Sequence, residues 1–339
     1  MHYDVFNGDA DGIIALLQLR LAEPKPSQLI TGIKRDINLL TQVASVDDVT
    51  SVTVLDISLQ KNLTSLVQLL ERSIPVFYCD HHQSGDIPAS PYLDTLINLD
   101  SEICTSLLIN QKLKGQYQTW AIAAAFGDNM VKGAQRLAEK SQLQPEQIDF
   151  LSELGVLINY NGYGADLSDL HFLPVDLFRL LLKYPNPFDL QIDKQSPFYQ
   201  LQAGYHKDKA HLDNITASYV DEVCEVFILP CQPWARRISG VFGNELANRD
   251  PNKAFAVLTL NKEESLNRDL TSNKETALNL DQRDYTVSVR APLNNRVGAD
   301  EICGQFITGG GRRAAAGINQ LAQEDVDKFI SVLSQRYLD

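Results

Sequence analysis

Along the first half of the chain, short runs of β-branched and apolar residues alternate with longer segments whose apolar positions recur every three or four residues. Residues 3–6, 29–32, 51–55 and 75–79 read as strands, closed in turn by Asn, Gly or Asp. Residues 13–22 and 60–71 carry helical spacing, with Gly12 and Ser58 near their starts. Strands alternating with helices in this way build βαβ units, so a mostly parallel sheet with helices on its faces is expected. Residues 103–160 turn helical, with breaks at Gly127 and Pro145, and residues 160–187 mix Gly and Pro with another apolar helical run. Residues 197–226 read as one long helix with polar faces, a connector between domains. Beyond Pro230, residues 255–260 and 285–291 alternate like strands, 323–338 form an amphipathic terminal helix, and the polar stretch 261–284 is a loop or irregular hairpin. The fold expected is α/β: an N-terminal, mostly parallel sheet flanked by helices over residues 1–190, a linker helix within 191–230, and a smaller α/β domain over 231–339.

Charge narrows the functions open to such a chain. Its 339 residues include 30 Lys and Arg against 43 Asp and Glu, a formal charge of −13. Proteins that hold long nucleic acid do so largely by neutralising phosphates with a basic surface. Any nucleic-acid contact here is expected to be local, without a long-strand track. The first residues show neither a basic nor an apolar leader segment. The most apolar stretches, 120–126 and 178–182, fall far short of the roughly 20 residues of a membrane span. A cytoplasmic location without membrane contact is the expectation. Five scattered cysteines without a C-x-x-C pair read as reduced thiols rather than disulfides or a zinc site.

The candidate chemistry lies where the expected strands end. Asp9 and Asp11 follow the first, Asp56 the third, and Asp80 the fourth, with His81 and His82 directly after it. In an open parallel sheet the carboxyl ends of the strands converge on one crevice, so these acids are expected to meet there. Clustered carboxylates repel one another, and a divalent cation is their natural partner. Carboxylate with imidazole suits Mn²⁺ or a related transition ion better than Ca²⁺ or Mg²⁺. Asp128 closes an apolar helix and joins the candidate set. Each residue alone has an ordinary explanation, a helix cap, a turn or a satisfied loop; their conjunction in one sheet geometry favours a metal centre. Lys34 and Arg35, after the second expected strand, point to the same crevice, either at a phosphate or as a solvated loop pair.

The ordered set Asp9-Ala10-Asp11-Gly12, Asp56, Asp80-His81-His82 and Asp128 resembles the four motifs of the DHH phosphoesterase superfamily. Gly309-Gly310-Gly311-Arg312-Arg313-Ala314-Ala315-Ala316-Gly317 resembles the glycine-rich motif of its associated C-terminal domain, so the likeness spans nearly the whole chain. The superfamily includes RecJ exonucleases, oligoribonucleases, cyclic-di-AMP phosphodiesterases and manganese pyrophosphatases. The resemblance implies Asp9, Asp11, Asp56, Asp80, His81 and Asp128 as ligands of one or two Mn²⁺ ions. His82 then stands beside the scissile phosphate, and hydrolysis proceeds by metal-activated water. It also implies substrate contacts from Arg290 and from the Gly309–Gly310–Gly311–Arg312–Arg313 segment, whose small residues 314–317 are expected to run into a helix N-terminus. Two positions depart from the pattern: Val5 stands where many members carry His, with Asn7 the nearest polar substitute, and Arg312 stands where the glycine motif commonly ends in His.

The activity expected is Mn²⁺-dependent cleavage of very short 5′-phosphorylated oligonucleotides, above all linear dinucleotides of the pGpG or pApA type, to mononucleotides. The substrate is expected in a cleft, with metals on the first domain and anion and base recognition on the second. A RecJ-like single-strand exonuclease, a pAp phosphatase and a nucleotide-binding regulator with a degenerate site are the alternatives. Whether the chain forms a homodimer is open at this level.

Overall fold

The computed structural model describes residues 1–100, 102–262 and 283–338. They fall into two compact units, Met1–Lys207 and Asp208–Asp339. The polar stretch expected as a loop or hairpin lies, over residues 263–282, outside the described residues.

In the first unit the chain runs β1 (His2–Phe6), α1 (Ala10–Ala22), β2 (Gln28–Ile30), α2 (Thr41–Ala44), β3 (Ser51–Leu55), α3 (Leu59–Glu71), β4 (Val76–Asp80) and β5 (Leu93–Ile97). Helices α4 (Thr105–Lys112), α5 (Gln118–Gly127), α6 (Val131–Lys140), α7 (Pro145–Gly162), α8 (Pro174–Leu181) and α9 (Asp189–Ile192) follow, then α10 (Pro197–Lys209). The five strands are parallel in the order β2-β1-β3-β4-β5. That order reverses between β1 and β3, which opens a crevice at their carboxyl ends. One sheet face buries Val5, Val52, Val54 and Tyr78 against Leu66 and Leu69 of α3. On the other side α1 is enclosed by α4, α5 and α7, which is why Ile13 through Leu17 are apolar all round and fully buried. Helices α5 and α7 also meet closely: a Cβ at Gly155 of α7 would lie 1.9 Å from the carbonyl oxygen of Ala123 in α5. Backbone contact between α5 and α7 brings the end of α5 to the start of α1, and with it Asp128.

The second unit contains β6 (Tyr219–Val220), β7 (Cys224–Leu229), α11 (Pro233–Arg249), β8 (Ala254–Leu260), β9 (Asp284–Arg290), α12 (Ala299–Cys303), β10 (Gly309–Gly311), β11 (Ala315–Ala322) and α13 (Val326–Leu338). Its mixed sheet has the order β10-β11-β9-β8-β7-β6, with β7 and β8 parallel and the other neighbours antiparallel. Val226, Leu258, Val287, Ile318 and Phe329 form its core.

Two local expectations need correction, and one strand was not anticipated. The long helix over 197–226 stops at Lys209 and passes through a 3-10 turn into β6 and β7. Asp221 accepts the N–H groups of Val223 and Cys224, closing a turn that helix would forbid, and the flanking Tyr, Val, Phe and Ile favour strand. Residues 314–317 do not start a helix. They lie at the end of a hairpin and in β11, where Ala316 and Gly317 pair with Gly311 and Gly310. Strand β5, part-exposed and containing Asp94 and Thr95, lacked an apolar run to announce it. None of the five cysteines is in a disulfide, and no helix among the described residues is long and apolar enough to cross a membrane.

Candidate metal centre

The crevice is built from the turns that leave β1, β3 and β4. After β1 the chain turns at Asp9, whose Oδ1 accepts the N–H groups of Asp11 and Gly12 at 3.0 Å and so caps α1. Asp11, one turn on, receives the N–H groups of Thr105 and Ser106 at 2.7 Å, placing its carboxylate on the N-terminus of α4, where helix charge favours it. After β3, Asp56 has φ 59°, in the left-handed region that few non-glycine residues occupy. Its Oδ1 accepts the Thr105 hydroxyl at 3.1 Å. Asp80 ends β4 fully buried: its Oδ1 lies 2.7 Å from His82 Nδ1, and its Oδ2 has no hydrogen-bond partner.

The two histidines meet the acids through different nitrogens. His81 Nδ1 is 2.9 Å from the carbonyl oxygen of Ile103. A carbonyl only accepts, so Nδ1 carries the proton and Nε2 points into the acids. There it lies 3.3 Å from Asp56 Oδ1, 3.7 Å from Asp128 Oδ2 and 3.8 Å from Asp11 Oδ2. A lone pair facing three carboxylates is repulsive unless a proton or a cation stands between them. His82 has its Nδ1 anchored on Asp80 and is 30% exposed, which turns its Nε2 away from that carboxylate.

Burial pushes the Asp56 carboxyl well above the usual carboxylate range, and the charges of Asp11, Asp9, Asp128 and Asp80 push it further. Burial also acts upward on Asp9, but Lys34 outweighs it and holds Asp9 below its ordinary value. The Lys34 Nζ lies 2.5 Å from Asp9 Oδ2, 3.0 Å from Asn159 Oδ1 and 3.7 Å from Asp128 Oδ1. Burial lowers this ammonium, yet Asp9, Tyr163 and Asp128 together hold it above the usual lysine range. Lys34 is thus inside the acid cluster, while Arg35 beside it is part-exposed. Asn7 is committed to the loop, its amide donating to the Lys34 carbonyl and accepting from the Asp9 N–H. Val5 belongs to the apolar core under the sheet.

Asp9, Asp11, Asp56, Asp80, His81, His82 and Asp128 are therefore gathered in one region of the first unit, with Lys34 among them. Asp56, His81 and His82, and likewise Asp11, His81 and Asp128, offer donor atoms within 4.8 Å of one another. An orphaned buried carboxylate oxygen, an imidazole with a fixed tautomer and an acid held high by its neighbours fit a divalent metal. Sequence reasoning missed Thr105 and Asn159. The second had a signal: Asn159, 2% exposed, interrupts the apolar face of α7.

The remaining sequence candidates lie in the second unit. Arg290 on β9 donates to Asn244 Oδ1 at 2.6 Å and to the Gly240 carbonyl at 3.2 Å, which ties its guanidinium to α11. The glycine triplet is the edge strand β10. Arg312 and Ala315 exchange backbone hydrogen bonds across the two-residue turn Arg313-Ala314, so both arginines stand at a hairpin end, Arg313 exposed.

No protein-family model matches the chain, and no curated protein matches it. Solved structures do. RecJ from Thermus thermophilus, in complex with Mn²⁺, is similar with a TM-score of 0.61 at 14% identity, covering 99% of this chain and 52% of that one. The chain thus spans about half the length of that RecJ. A second structure, exonuclease RecJ bound to manganese, gives a TM-score of 0.59 at 14% identity, with 99% and 90% covered. The pGpG-specific phosphodiesterase PggH from Vibrio cholerae gives 0.53 at 12% identity, with 100% and 99% covered. At these identities the likeness is one of fold, and the two-domain α/β fold described above is the one these structures share with the chain.

Proposed function

We propose that the chain is a metal-dependent phosphoesterase, and within that class a Mn²⁺-dependent phosphodiesterase that cleaves linear dinucleotides and other very short 5′-phosphorylated oligonucleotides to mononucleotides. The observations that carry this reading are the buried, unpartnered Oδ2 of Asp80 and the tautomer of His81, which turns Nε2 toward Asp56, Asp128 and Asp11. Asp56, Asp80, His81 and Asp128, with Asp11 and Asp9 behind them, would hold the metal. A bound divalent ion supplies a nucleophilic water at neutral pH and charge stabilisation for a phosphoryl group. Asp80 fixes the ring of His82 through Nδ1. His82 Nε2 would hold or deliver a proton at a phosphate or leaving-group oxygen. Thr105 orients Asp56, and the α4 N-terminus fixes Asp11 so that the cluster does not reorganise when charge moves. Arg290, Gly309, Gly310, Gly311, Arg312 and Arg313 are assigned to phosphate and base contacts, with Arg35 a further candidate.

A short substrate is favoured by the formal charge of −13, which provides no basic surface for a long strand. PggH, whose whole length this chain matches, acts on pGpG. The test is a series of 5′-phosphorylated di- to decanucleotides with Mn²⁺, scored by rate against length. Dinucleotides should be fastest, with rates falling as length grows. Undiminished rates on long strands would instead indicate a RecJ-like exonuclease, and full activity after thorough chelation or in Asp80→Ala would overturn the metal mechanism.

A further inference from the structure

We propose that Lys34 is a built-in cation of the metal centre, occupying the Asp9–Asp128 side so that the site takes one divalent ion rather than two. This rests on the reading above that the acid cluster binds a metal. The ammonium reaches three acceptors at once, Asp9 Oδ2 at 2.5 Å, Asn159 Oδ1 at 3.0 Å and Asp128 Oδ1 at 3.7 Å. Two of these are hydrogen bonds, to Asp9 and Asn159, and the third is a longer ion pair with Asp128. The side chain is 22% exposed, its Nζ lies 5.4 Å from the ring centroid of Tyr163, and its backbone N–H is anchored on the Gly162 carbonyl at 2.8 Å. Both ends of the lysine are thereby tied to the end of α7, so its position is built rather than sampled.

Asp9 has no oxygen left uncontested. Its Oδ1 serves the N-terminus of α1 and its Oδ2 serves Lys34. A divalent ion bridging Asp9 and Asp128 would have to displace the ammonium or sit against it at short range, where like charges repel strongly. β1 brings no imidazole to this end of the sheet: Val5 is buried in the apolar core, and His2, at the start of the strand, is engaged with Ser51 and Asp4. Other donors are at hand: Asp80 Oδ2 is buried without a hydrogen-bond partner, and His81 Nε2 stands 3.3 Å from Asp56 Oδ1. Asp56, Asp80 and His81 would hold one ion through carboxylate and imidazole.

The experiment counts metal rather than turnover. Mn²⁺ bound per full-length chain is measured by equilibrium dialysis with elemental analysis, and electron paramagnetic resonance distinguishes an isolated ion from an exchange-coupled pair. The wild type should bind one Mn²⁺ with the spectrum of an isolated ion. Lys34→Met, which keeps the length and removes the charge, should bind a second, weaker Mn²⁺ and show a coupled component. Lys34→Gln provides the same readout if Lys34→Met does not fold. Two ions in the wild type, or a variant that stays at one, would overturn the role of Lys34 while leaving the metal reading intact. A wild type that binds none would overturn that reading itself, and the inference with it.

Discussion

His82 provides the sharpest test of the proposed chemistry, because its geometry separates it from His81. Its Nδ1 is held 2.7 Å from Asp80 Oδ1 and its side chain is 30% exposed, whereas His81 is buried with Nε2 among the acids. Replacing His82 by Ala removes the proton-handling nitrogen but keeps Asp56, Asp80, His81 and Asp128, and it frees Asp80 Oδ1. A positioned general acid or base contributes about 10²–10⁴-fold to rate, equivalent to about 2.7–5.4 kcal/mol of barrier. The expected outcome for His82→Ala is therefore a fall in single-turnover rate on pGpG within that range at saturating Mn²⁺. Mn²⁺ stoichiometry should stay as in the wild type, while His81→Ala should lose metal and rate together. Single-turnover kinetics beside a Mn²⁺ titration make the comparison. A rate within about threefold of wild type, well below the general acid–base range, would refute the proton-handling role. Loss of Mn²⁺ as severe as in His81→Ala would make His82 a ligand instead.

Two further outcomes probe the second unit. Burial acts upward on the Asp221 carboxyl, but the hydroxyl of Ser334 and the N–H groups of Cys224 and Val223 outweigh it and bring it down to about 2. A lowered acid contributes stability above its unfolded pKa and loses it as pH falls toward the folded value. Asp221→Asn should therefore cost about 2 kcal/mol at pH 6 and progressively less from pH 4 to pH 2 in urea melts; a cost independent of pH refutes the carboxylate account. In β10, a Cβ at Gly309 would lie 1.8 Å from the Cys303 carbonyl oxygen, whereas one at Gly310 meets nothing within 4 Å. Gly309→Ala should cost about 1–3 kcal/mol, while Gly310→Ala should stay within about 0.5 kcal/mol and, if the strand approaches substrate, weaken pGpG binding. Unchanged binding in Gly310→Ala removes that position from the site.

The α/β class and the carboxylates at three strand ends were legible in sequence because both follow from local pattern. A strand's length and its closing residues are written within a few positions, and in a parallel sheet successive strand ends share one edge. Asp80-His81-His82 needed no tertiary information to stand at the end of β4. The hairpin after Lys209 and the strand from Ala315 were misread as helix because their outcome depends on partners elsewhere in the second unit, the Asp221 turn and the register with Gly310 and Gly311. What each acid does was decided by contacts far along the chain. Asp11 is fixed by Thr105 and Ser106, 94 and 95 residues away, and Lys34 meets Asn159 across 125 residues. The sequence alone therefore determined which carboxylates and imidazoles reach the crevice, though not Thr105 and Asn159 beside them. Only the tertiary structure decided which of their oxygens are already committed and which remain open, since hydrogen-bond partnership in a buried site is set by packing among distant segments.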